Sequence, residues 1–407
     1  MRARTNLVKG AATLISLLIL LILAPGSSLD KAVAQETKSQ SPPGAPKLNA
    51  SSWALIDADT GLYLAGKDPD KRGPIASTTK IMLALVALDE GVNLDKEITI
   101  SKRAVQRYGF GSPYSNAGLN AGERLTVRNA LTAALIPSAT EAAYALAEQL
   151  GDGSADQTVQ KMNEKAKSMG LKNTHFENPV GVDERGHYSS ASDLAEIARA
   201  AMKYPEFREI VNKPQATIST QNRKIDLVTT NLLILPNSGY EYGPANGVKT
   251  GTSIGAGPCV VASAESGDES YIAVVLHAAG DTQRFEAART ALEYGFGKFE
   301  REPLVEKGDA FGEVSLPYRR GESVKLVAAK SVSALAGPGL EVERSPTHKK
   351  APPAAKTGRK LGTVEVAVDG QNVGSSPLVV KKGYEEASVW QKVKYWAGGL
   401  KRWVMSR

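Results

Sequence analysis

Residues 73–85, GPIASTTKIMLAL, place a strongly apolar helix directly after a serine and a lysine. The residues that follow Lys80 are apolar almost all round, and a helix of this kind has to be covered on every side. Pro74 lies just ahead of the predicted helix, and Gly91 can end it. The stretch therefore predicts a buried central helix, enclosed by other layers of structure.

Lys80 is the residue of this helix that is costly to bury while it is charged. Ser77 and Lys80 are three residues apart, so they lie on the same helical face. Burial lowers the pKa of a lysine, and a neutral amine one hydrogen bond from a hydroxyl can act as its general base. Free N–H groups at a helix start also favour a developing anion. The pair predicts a serine nucleophile activated by a lysine.

Two further motifs accompany this pair. A second serine, Ser138, lies in a short loop between two helical patterns, the first of which Thr126 is predicted to cap. The triplet Lys249-Thr250-Gly251 lies in a predicted strand, directly after the turn-forming pair Asn246-Gly247. The serine–lysine spacing alone is a weak signal, and the presence of these two motifs makes it more specific.

The hydrophobic pattern divides the body of the chain into two parts. Residues 49–300 mix a helical block with strands drawn from both ends of the segment, which predicts an α+β domain with an antiparallel sheet and a helical cluster. Residues 301–383 show only β patterns and predict a small all-β sandwich. Within it, residues 344–358 are rich in Pro and Lys and predict a long exposed loop.

The two ends of the chain indicate a protein that leaves the cytoplasm. Residues 1–34 have a basic start and an apolar stretch that is short for a membrane span, which predicts a signal peptide, although an uncleaved anchor remains open. Residues 35–48 are polar and Pro-rich and predict a linker.

The C-terminal segment 384–407 predicts an amphipathic helix. It contains three of the four tryptophans (Trp390, Trp396 and Trp403) together with three lysines and two arginines. A basic helix with interfacial aromatics favours a position in a membrane surface. The alternative is a helix docked on its own domain.

Charge and cysteine usage exclude several function classes. The formal charge is +7, but basic residues are not interleaved with aromatics in the body of the chain, so we expect no nucleic-acid partner. Cys259 is the single cysteine, so no intrachain disulfide exists, and we expect it to pack in the core. No metal-ligand spacing or phosphate-binding loop occurs, and we expect no metal and no cofactor.

The motifs together resemble the low-molecular-mass penicillin-binding proteins that are D-alanyl-D-alanine carboxypeptidases. The phrases PIASTTKIMLALVALD, NPVGVDERGHYSSASDLAEIARAAM, GVKTGTSIGAGPCVVASAE and VKLVAAK carry the resemblance, which covers most of the chain. It implies a β-lactamase-like catalytic domain that removes the terminal D-alanine from peptidoglycan pentapeptide stems. It also implies acylation by β-lactam antibiotics and a peripheral position on the outer face of the bacterial cytoplasmic membrane.

The resemblance implies a role for each motif residue. Ser77 is the acylated nucleophile, Lys80 its base and Ser138 a proton relay. Lys249 pairs with the terminal carboxylate of the substrate, and Thr250 adds a hydrogen bond to it. Gly251 allows close approach of the substrate, and the N–H groups of Ser77 and Thr252 form the oxyanion hole.

One position departs from the family pattern. The middle motif is usually serine-x-asparagine, but here Thr140 follows Ser138 and Ala139. A threonine offers only a hydroxyl to the substrate amide and the catalytic lysine, where asparagine offers a donor and an acceptor. We expect an altered or weaker activity.

Two alternative functions remain open. A class A β-lactamase needs a glutamate before the third motif, and Glu177 and Glu184 lie in the relevant segment, but the chain continues about 100 residues past the point where such enzymes end. A non-catalytic penicillin-binding module is favoured only by Thr140. We interpret His187 in the same segment as structural, because serine–lysine chemistry needs no imidazole.

Overall fold

A computed structural model describes residue 42 and residues 44–405, with side chains as far as residue 398. The predicted signal peptide lies outside the described residues. The helices in this part of the chain are α1 (Lys80–Asp89), α2 (Lys102–Tyr108), α3 (Val127–Leu135), α4 (Thr140–Leu150), α5 (Ala155–Ser168), α6 (Ala191–Ala201), α7 (Pro205–Val211), α8 (Gln283–Lys298) and α9 (Val389–Met405).

The strands fall into two groups, one before and one after residue 300. The first group is β1 (Ala50–Asp57), β2 (Tyr63–Lys67), β3 (Glu97–Thr99), β4 (Arg124–Thr126), β5 (Gln215–Ser219), β6 (Lys224–Val228), β7 (Ala245–Ser253), β8 (Gly257–Ser266) and β9 (Glu269–Ala278). The second group is β10 (Glu300–Val305), β11 (Ala310–Ser315), β12 (Ser323–Ala328), β13 (Val332–Ala336), β14 (Val342–His348), β15 (Lys360–Val368) and β16 (Gln371–Val380).

The central sheet is antiparallel and takes strands from both ends of the first segment, as predicted. Its order is β2-β1-β9-β8-β7, with β7 at one edge. Side chains alternate between its two faces: Ala54 and Ile56 pack against the helical cluster, whereas Trp53 and Leu55 pack towards α8. Both faces are therefore covered, and the α+β prediction is confirmed.

Helix α1 is the buried centre of the helical cluster. Every residue from Lys80 to Ala87 is buried, because α3, α4, α5 and α6 all contact this helix. A 3₁₀ turn, Ala76–Thr79, precedes it, so Ser77 lies one turn ahead of the α-helix rather than inside it. The prediction of a buried central helix is confirmed, with this shift of its start.

The residues after 300 form two antiparallel sheets, one of β10 and β13 and one in the order β11-β12-β16-β15-β14. The prediction of an exposed loop at residues 344–358 is wrong for its first five residues. Residues 344–348 belong to β14, which pairs with β15 along its whole length. Pro346 misled the prediction: β14 is an edge strand, where a residue without an N–H is tolerated. The loop itself begins at residue 349.

The core of the second segment is continuous with one face of the central sheet. Arg301 links the two segments through its Nη2, which lies 3.0 Å from Asp57 Oδ1 and 2.8 Å from Asp59 Oδ2. Among the described residues, no helix has the length and apolar character needed to span a membrane.

Candidate active site

The Ser77 hydroxyl and the Lys80 amine meet where the 3₁₀ turn passes into α1. Lys80 Nζ lies 2.9 Å from Ser77 Oγ. Lys80 is fully buried, while Ser77 is partly exposed and lines a cleft of about 460 Å³. The amine therefore contacts the serine from the protein side, and the hydroxyl faces the space in which a substrate can lie.

Oxygen atoms of two further residues surround the Lys80 amine. Nζ lies 3.1 Å from Ser138 O, 3.3 Å from Ser138 Oγ and 3.3 Å from Thr140 Oγ1. Burial lowers the pKa of Lys80 to about 7, although the charge of nearby Glu141 acts to raise it. A large fraction of Lys80 is therefore neutral near pH 7, and the neutral amine can take a proton from Ser77.

Glu141 is a buried carboxylate next to this cluster that the sequence analysis did not single out. Its Oε1 accepts hydrogen bonds from the backbone N–H of Ala117 at 2.7 Å and of Leu119 at 3.3 Å. Burial raises the pKa of Glu141, and Lys80 acts to lower it. Its Oε2 has no hydrogen-bond partner among the described residues. Glu141 thus fixes the chain before α3 and acts electrostatically on Lys80.

Ser138 has an unusual backbone conformation in the loop between α3 and α4. Its φ is +68°, in the left-handed region that residues with a Cβ seldom adopt. Hydrogen bonds on its C-terminal side hold the loop: Ala139 N donates to Ala133 O at 2.8 Å, and Thr140 N donates to Ser115 O at 2.8 Å. This conformation directs both Ser138 oxygens at Lys80.

Thr140 keeps one of the two contacts expected of the family's asparagine. Its hydroxyl contacts Lys80 and lies 3.4 Å from Ser138 O. The residue is buried and is not part of the cleft lining. Thr140 therefore helps to hold the lysine but presents no group to the substrate side of the cleft.

Strand β7 carries the third motif along the edge of the central sheet, beside the 3₁₀ turn. A Cβ on Gly251 would lie 2.9 Å from Ser77 N and 3.0 Å from Ile75 O. The space that Gly251 provides is thus used by the protein's own turn, in addition to the predicted approach of a substrate. Asn246-Gly247 is not a turn before the strand, as predicted; it lies inside β7, at a register shift opposite Ser263.

Lys249 is buried behind the cleft rather than exposed in it. Its Nζ donates to the backbone oxygen of Thr250 at 2.9 Å, and the residue is not part of the lining. Burial lowers the pKa of Lys249 well below its ordinary value, and the charges of Lys80 and Arg284 act in the same direction. The predicted contact between Lys249 and a substrate carboxylate stays a prediction.

Arg284 lies in the first turn of α8. Among the described residues that line the cleft, it is the one with a positively charged side chain. Its Nη1 lies 2.6 Å from Thr252 Oγ1 and 3.1 Å from Gly251 O. Thr250 and Thr252, which line the same wall, add hydroxyl groups beside it. Arg284 and the two hydroxyl groups can donate hydrogen bonds to a carboxylate, although Asp281 Oδ1 in the same lining lies 3.7 Å from Arg284 Nη2.

His187 and Cys259, which the sequence analysis interpreted as structural, are both buried. His187 is buried, contacts Thr79 Oγ1 through Nε2 at 2.9 Å and accepts the Glu177 N–H at Nδ1 at 3.1 Å. Burial lowers its pKa to about 4. Cys259 is buried in the sheet, and burial raises the pKa of its thiol to about 11, which makes it a poor nucleophile.

Comparison with protein families gives two matches. Residues 36–280 match the family described as D-alanyl-D-alanine carboxypeptidase. The chain belongs to this family. Residues 299–386 match the family described as penicillin-binding protein 5, C-terminal domain.

Relatives of this carboxypeptidase family match along most of the chain. D-alanyl-D-alanine carboxypeptidase DacF of Bacillus subtilis is 33% identical and covers 83% of this chain and 86% of its own length. DacC of Escherichia coli is 30% identical over 86% of this chain and 88% of its own length.

Solved structures of the same class are similar to this fold. The Streptomyces K15 DD-transpeptidase is 35% identical, covers 62% of this chain and 99% of its own, and has a TM-score of 0.58. Penicillin-binding protein 5 from Haemophilus influenzae is 28% identical, covers 84% of this chain and 99% of its own, and has a TM-score of 0.66.

Sequence reasoning thus identified Ser77, Lys80 and Ser138, which the fold brings together, but missed Arg284 and Glu141. No motif marks Arg284, which contacts Thr252 across 32 residues of chain. Glu141 carried a usable signal: it is a charged residue in the first turn of an otherwise apolar helical pattern.

Proposed function

We propose that this member of the D-alanyl-D-alanine carboxypeptidase family uses Ser77 as its nucleophile and Lys80 as the base that activates it. The single observation that carries the proposal is the 2.9 Å contact between Lys80 Nζ and Ser77 Oγ, with the amine fully buried. A pKa of about 7 leaves much of this amine neutral at neutral pH.

Acylation follows from this geometry. Lys80 accepts the hydroxyl proton while Ser77 Oγ attacks the carbonyl carbon of the penultimate D-alanine. The amide bond breaks, D-alanine leaves as an amine after it has gained a proton, and the peptide stays on Ser77 as an ester. Ser138 Oγ, 3.3 Å from Lys80 Nζ, is placed to pass the proton towards the leaving nitrogen. Water then hydrolyses the ester.

Two backbone groups are proposed to stabilise the oxyanion, namely the N–H of Ser77 and the N–H of Thr252. Support comes from the packing of β7 against the 3₁₀ turn, because a Cβ on Gly251 would lie 2.9 Å from Ser77 N. The strand edge and the nucleophile are thus adjacent, as an oxyanion hole built from both requires.

Arg284 is proposed to bind the terminal carboxylate of the substrate, with Thr250 and Thr252 as hydrogen-bond donors. It is cationic, lines the cleft and contacts Thr252 Oγ1, with Asp281 Oδ1 3.7 Å from its Nη2, whereas Lys249 is buried and its amine donates to Thr250 O. A free carboxylate is what distinguishes the end of a pentapeptide stem from an internal peptide bond, so this contact favours a carboxypeptidase.

The geometry does not favour the β-lactamase alternative. Glu177 and Glu184 are exposed and lie outside the cleft lining. Glu177 contacts His175 at 3.3 Å, and Glu184 accepts a hydrogen bond from Asn178 Nδ2 at 3.2 Å. Neither carboxylate is in a position to activate a deacylating water at Ser77.

Membrane association through α9 is the second part of the proposal. Trp390, Val393 and Trp396 are 74%, 51% and 67% exposed, although Tyr395 on the same helix packs on Tyr318 with ring centroids 5.7 Å apart. The helix thus contacts its own domain through one face and leaves aromatic groups free, which suits a position in the membrane surface outside the cytoplasm.

Labelled penicillin tests the catalytic assignment. We expect an adduct on the peptide that contains Ser77, slow loss of that adduct, and release of D-alanine from a pentapeptide; Ser77→Ala should abolish all three. Rapid turnover of penicillin would instead indicate a β-lactamase, and labelling without D-alanine release would indicate a binding module. An adduct on another residue would overturn the assignment of Ser77.

A further inference from the structure

The five-stranded sheet of the second segment has two different ends. At one end, the turn between β15 and β16 lies against the first segment, where Gln371 Nε2 donates to Thr60 O at 3.4 Å. The other end contains the start of β15 and the ends of β14 and β16. The nine residues of β15 separate the two ends by roughly 27 Å at about 3.4 Å per residue.

The end away from the first segment is strongly basic. Backbone hydrogen bonds bring its parts together: Lys349 N donates to Leu361 O at 2.9 Å, and Val380 N donates to Arg359 O at 3.0 Å. Seven exposed cations lie on these strand ends and on the loop between β14 and β15, which we call the basic end: Lys349, Lys350, Lys356, Arg359, Lys360, Lys381 and Lys382.

The charge of the basic end is not neutralised by neighbouring carboxylates. Residues 349–360 and 381–384 contain no Asp or Glu. Among the described residues, none of the seven cations lies within ion-pair distance of a carboxylate. Some acidic residues of neighbouring segments have other partners: Glu313 pairs with Lys325, Glu322 with Arg319 and Glu386 with Lys392. In the described part of the chain, Glu343, Glu365 and Glu385 have no ion-pair partner, and none of them lies within ion-pair distance of the seven cations.

Helix α9 starts from this same end of the sheet. Lys381 N donates to Lys325 O at 3.0 Å, which places the end of β16 beside β12. The turn that leads into β12 contacts α9, because the guanidinium of Arg320 lies 5.0 Å from the centroid of the Tyr395 ring. The exposed tryptophans of α9 and the seven unpaired cations are thus found at one end of the molecule's second segment.

We propose that the basic end is a second membrane contact, which binds the phosphate groups of anionic phospholipids when α9 lies in the membrane surface. This inference rests on the proposed membrane association of α9. Lysine and arginine side chains near an anionic bilayer each strengthen attachment about fivefold, and the attraction is lost beyond a Debye length. Anionic lipid is favoured over another polyanion because the cations continue the surface on which the aromatic helix lies.

Vesicle flotation of the processed chain, as recovered from cells, tests the proposal. Vesicles of phosphatidylcholine alone are compared with vesicles that also contain about 30% phosphatidylglycerol, at low salt and at about 1 M NaCl. The variant Lys349→Gln/Lys350→Gln/Lys381→Gln/Lys382→Gln removes four charges from the basic end. The matched control, Lys96→Gln/Lys167→Gln/Lys203→Gln/Lys224→Gln, removes four exposed lysines from the first segment.

We expect the basic-end variant to bind the anionic vesicles at least about tenfold more weakly at low salt, with binding to phosphatidylcholine unchanged. The control should bind like the unaltered chain. An equal loss of vesicle binding in both variants would show that only net charge matters and would overturn the proposal. Binding of the unaltered chain that depends neither on salt nor on phosphatidylglycerol would also overturn it. If the basic-end variant loses binding to isolated cell walls but not to vesicles, the partner is a wall polymer and the proposal is wrong.

The failure of the proposed function gives a different result. If α9 does not associate with membranes, the unaltered chain will not float with phosphatidylcholine vesicles, and any binding to the anionic vesicles will be lost at about 1 M NaCl. Replacement of Trp390 and Trp396 by serine separates the two contacts: it should reduce binding to both kinds of vesicle but leave the preference for phosphatidylglycerol.

Discussion

Replacement of Lys80 by methionine should reveal the cost of burying its amine. The unfolded chain holds this lysine with an ordinary pKa of 10.5, whereas burial lowers the pKa to about 7 in the folded chain. Between these two values the unfolded state binds a proton that the folded state does not, so the stability of the unaltered protein rises with pH in this window. Methionine carries no such dependence.

The magnitude follows from the two pKa values. Each pH unit between them is worth about 1.4 kcal/mol. The lowered pKa of Lys80 therefore destabilises the folded chain by about 5 kcal/mol near pH 6 and by about 2 kcal/mol near pH 9. The loss of the contacts with Ser77, Ser138 and Thr140 costs Lys80→Met about 1 kcal/mol per hydrogen bond. We therefore expect the free energy of unfolding of the variant, relative to the unaltered chain, to fall by about 3 kcal/mol from pH 6 to pH 9.

Urea denaturation of both proteins at these two pH values measures the difference. Lys167→Met, a change at an exposed lysine of α5, controls for the loss of a charge without the loss of a buried amine. Lys249→Met, measured alongside, separates the contribution of the second buried lysine. A difference between Lys80→Met and the unaltered chain that stays constant across this range would refute the argument that Lys80 is held largely neutral.

Three further changes have expected outcomes in D-alanine release from a pentapeptide. Thr140→Asn should raise kcat/KM several-fold, because an amide can contact Lys80 and also reach the cleft; an unchanged or lower value would contradict this. Arg284→Gln should lower kcat/KM about tenfold to a hundredfold, mainly through KM, and an amidated substrate should not distinguish the variant from the unaltered enzyme. Glu141→Gln should move the acid limb of the rate profile to lower pH, because the Glu141 charge raises the pKa of Lys80; a shift to higher pH would exclude this role.

The fold was largely predictable because burial dictates it. The apolar run after Lys80 required a covered helix, and α1 is buried along almost its whole length. Two predictions of local structure were wrong. Pro346 suggested a loop, but it lies in the edge strand β14, where proline is tolerated. Asn246-Gly247 suggested a turn, but the pair lies at a register shift inside β7. Both errors arose because local turn chemistry was read without knowledge of the strand's neighbours.

Part of the catalytic cluster could be predicted because its residues are close in the sequence. The rest could not, because contacts between distant elements position those residues. Ser77 and Lys80 are one turn apart, so their contact follows from the sequence. The left-handed conformation of Ser138 and the cleft position of Arg284 depend on contacts between distant elements. Lys249 is buried and its amine donates to Thr250 O, so its predicted pairing with a substrate carboxylate stays a prediction.

The central claim is that a neutral Lys80 amine deprotonates Ser77. The most direct test is the rate at which labelled penicillin acylates Ser77 between about pH 5 and pH 9, measured before turnover. The rate should rise about tenfold per pH unit and level off near pH 7, where half of the amine is neutral. A rate that is independent of pH, or that keeps rising past pH 9 as for an ordinary lysine, would contradict it.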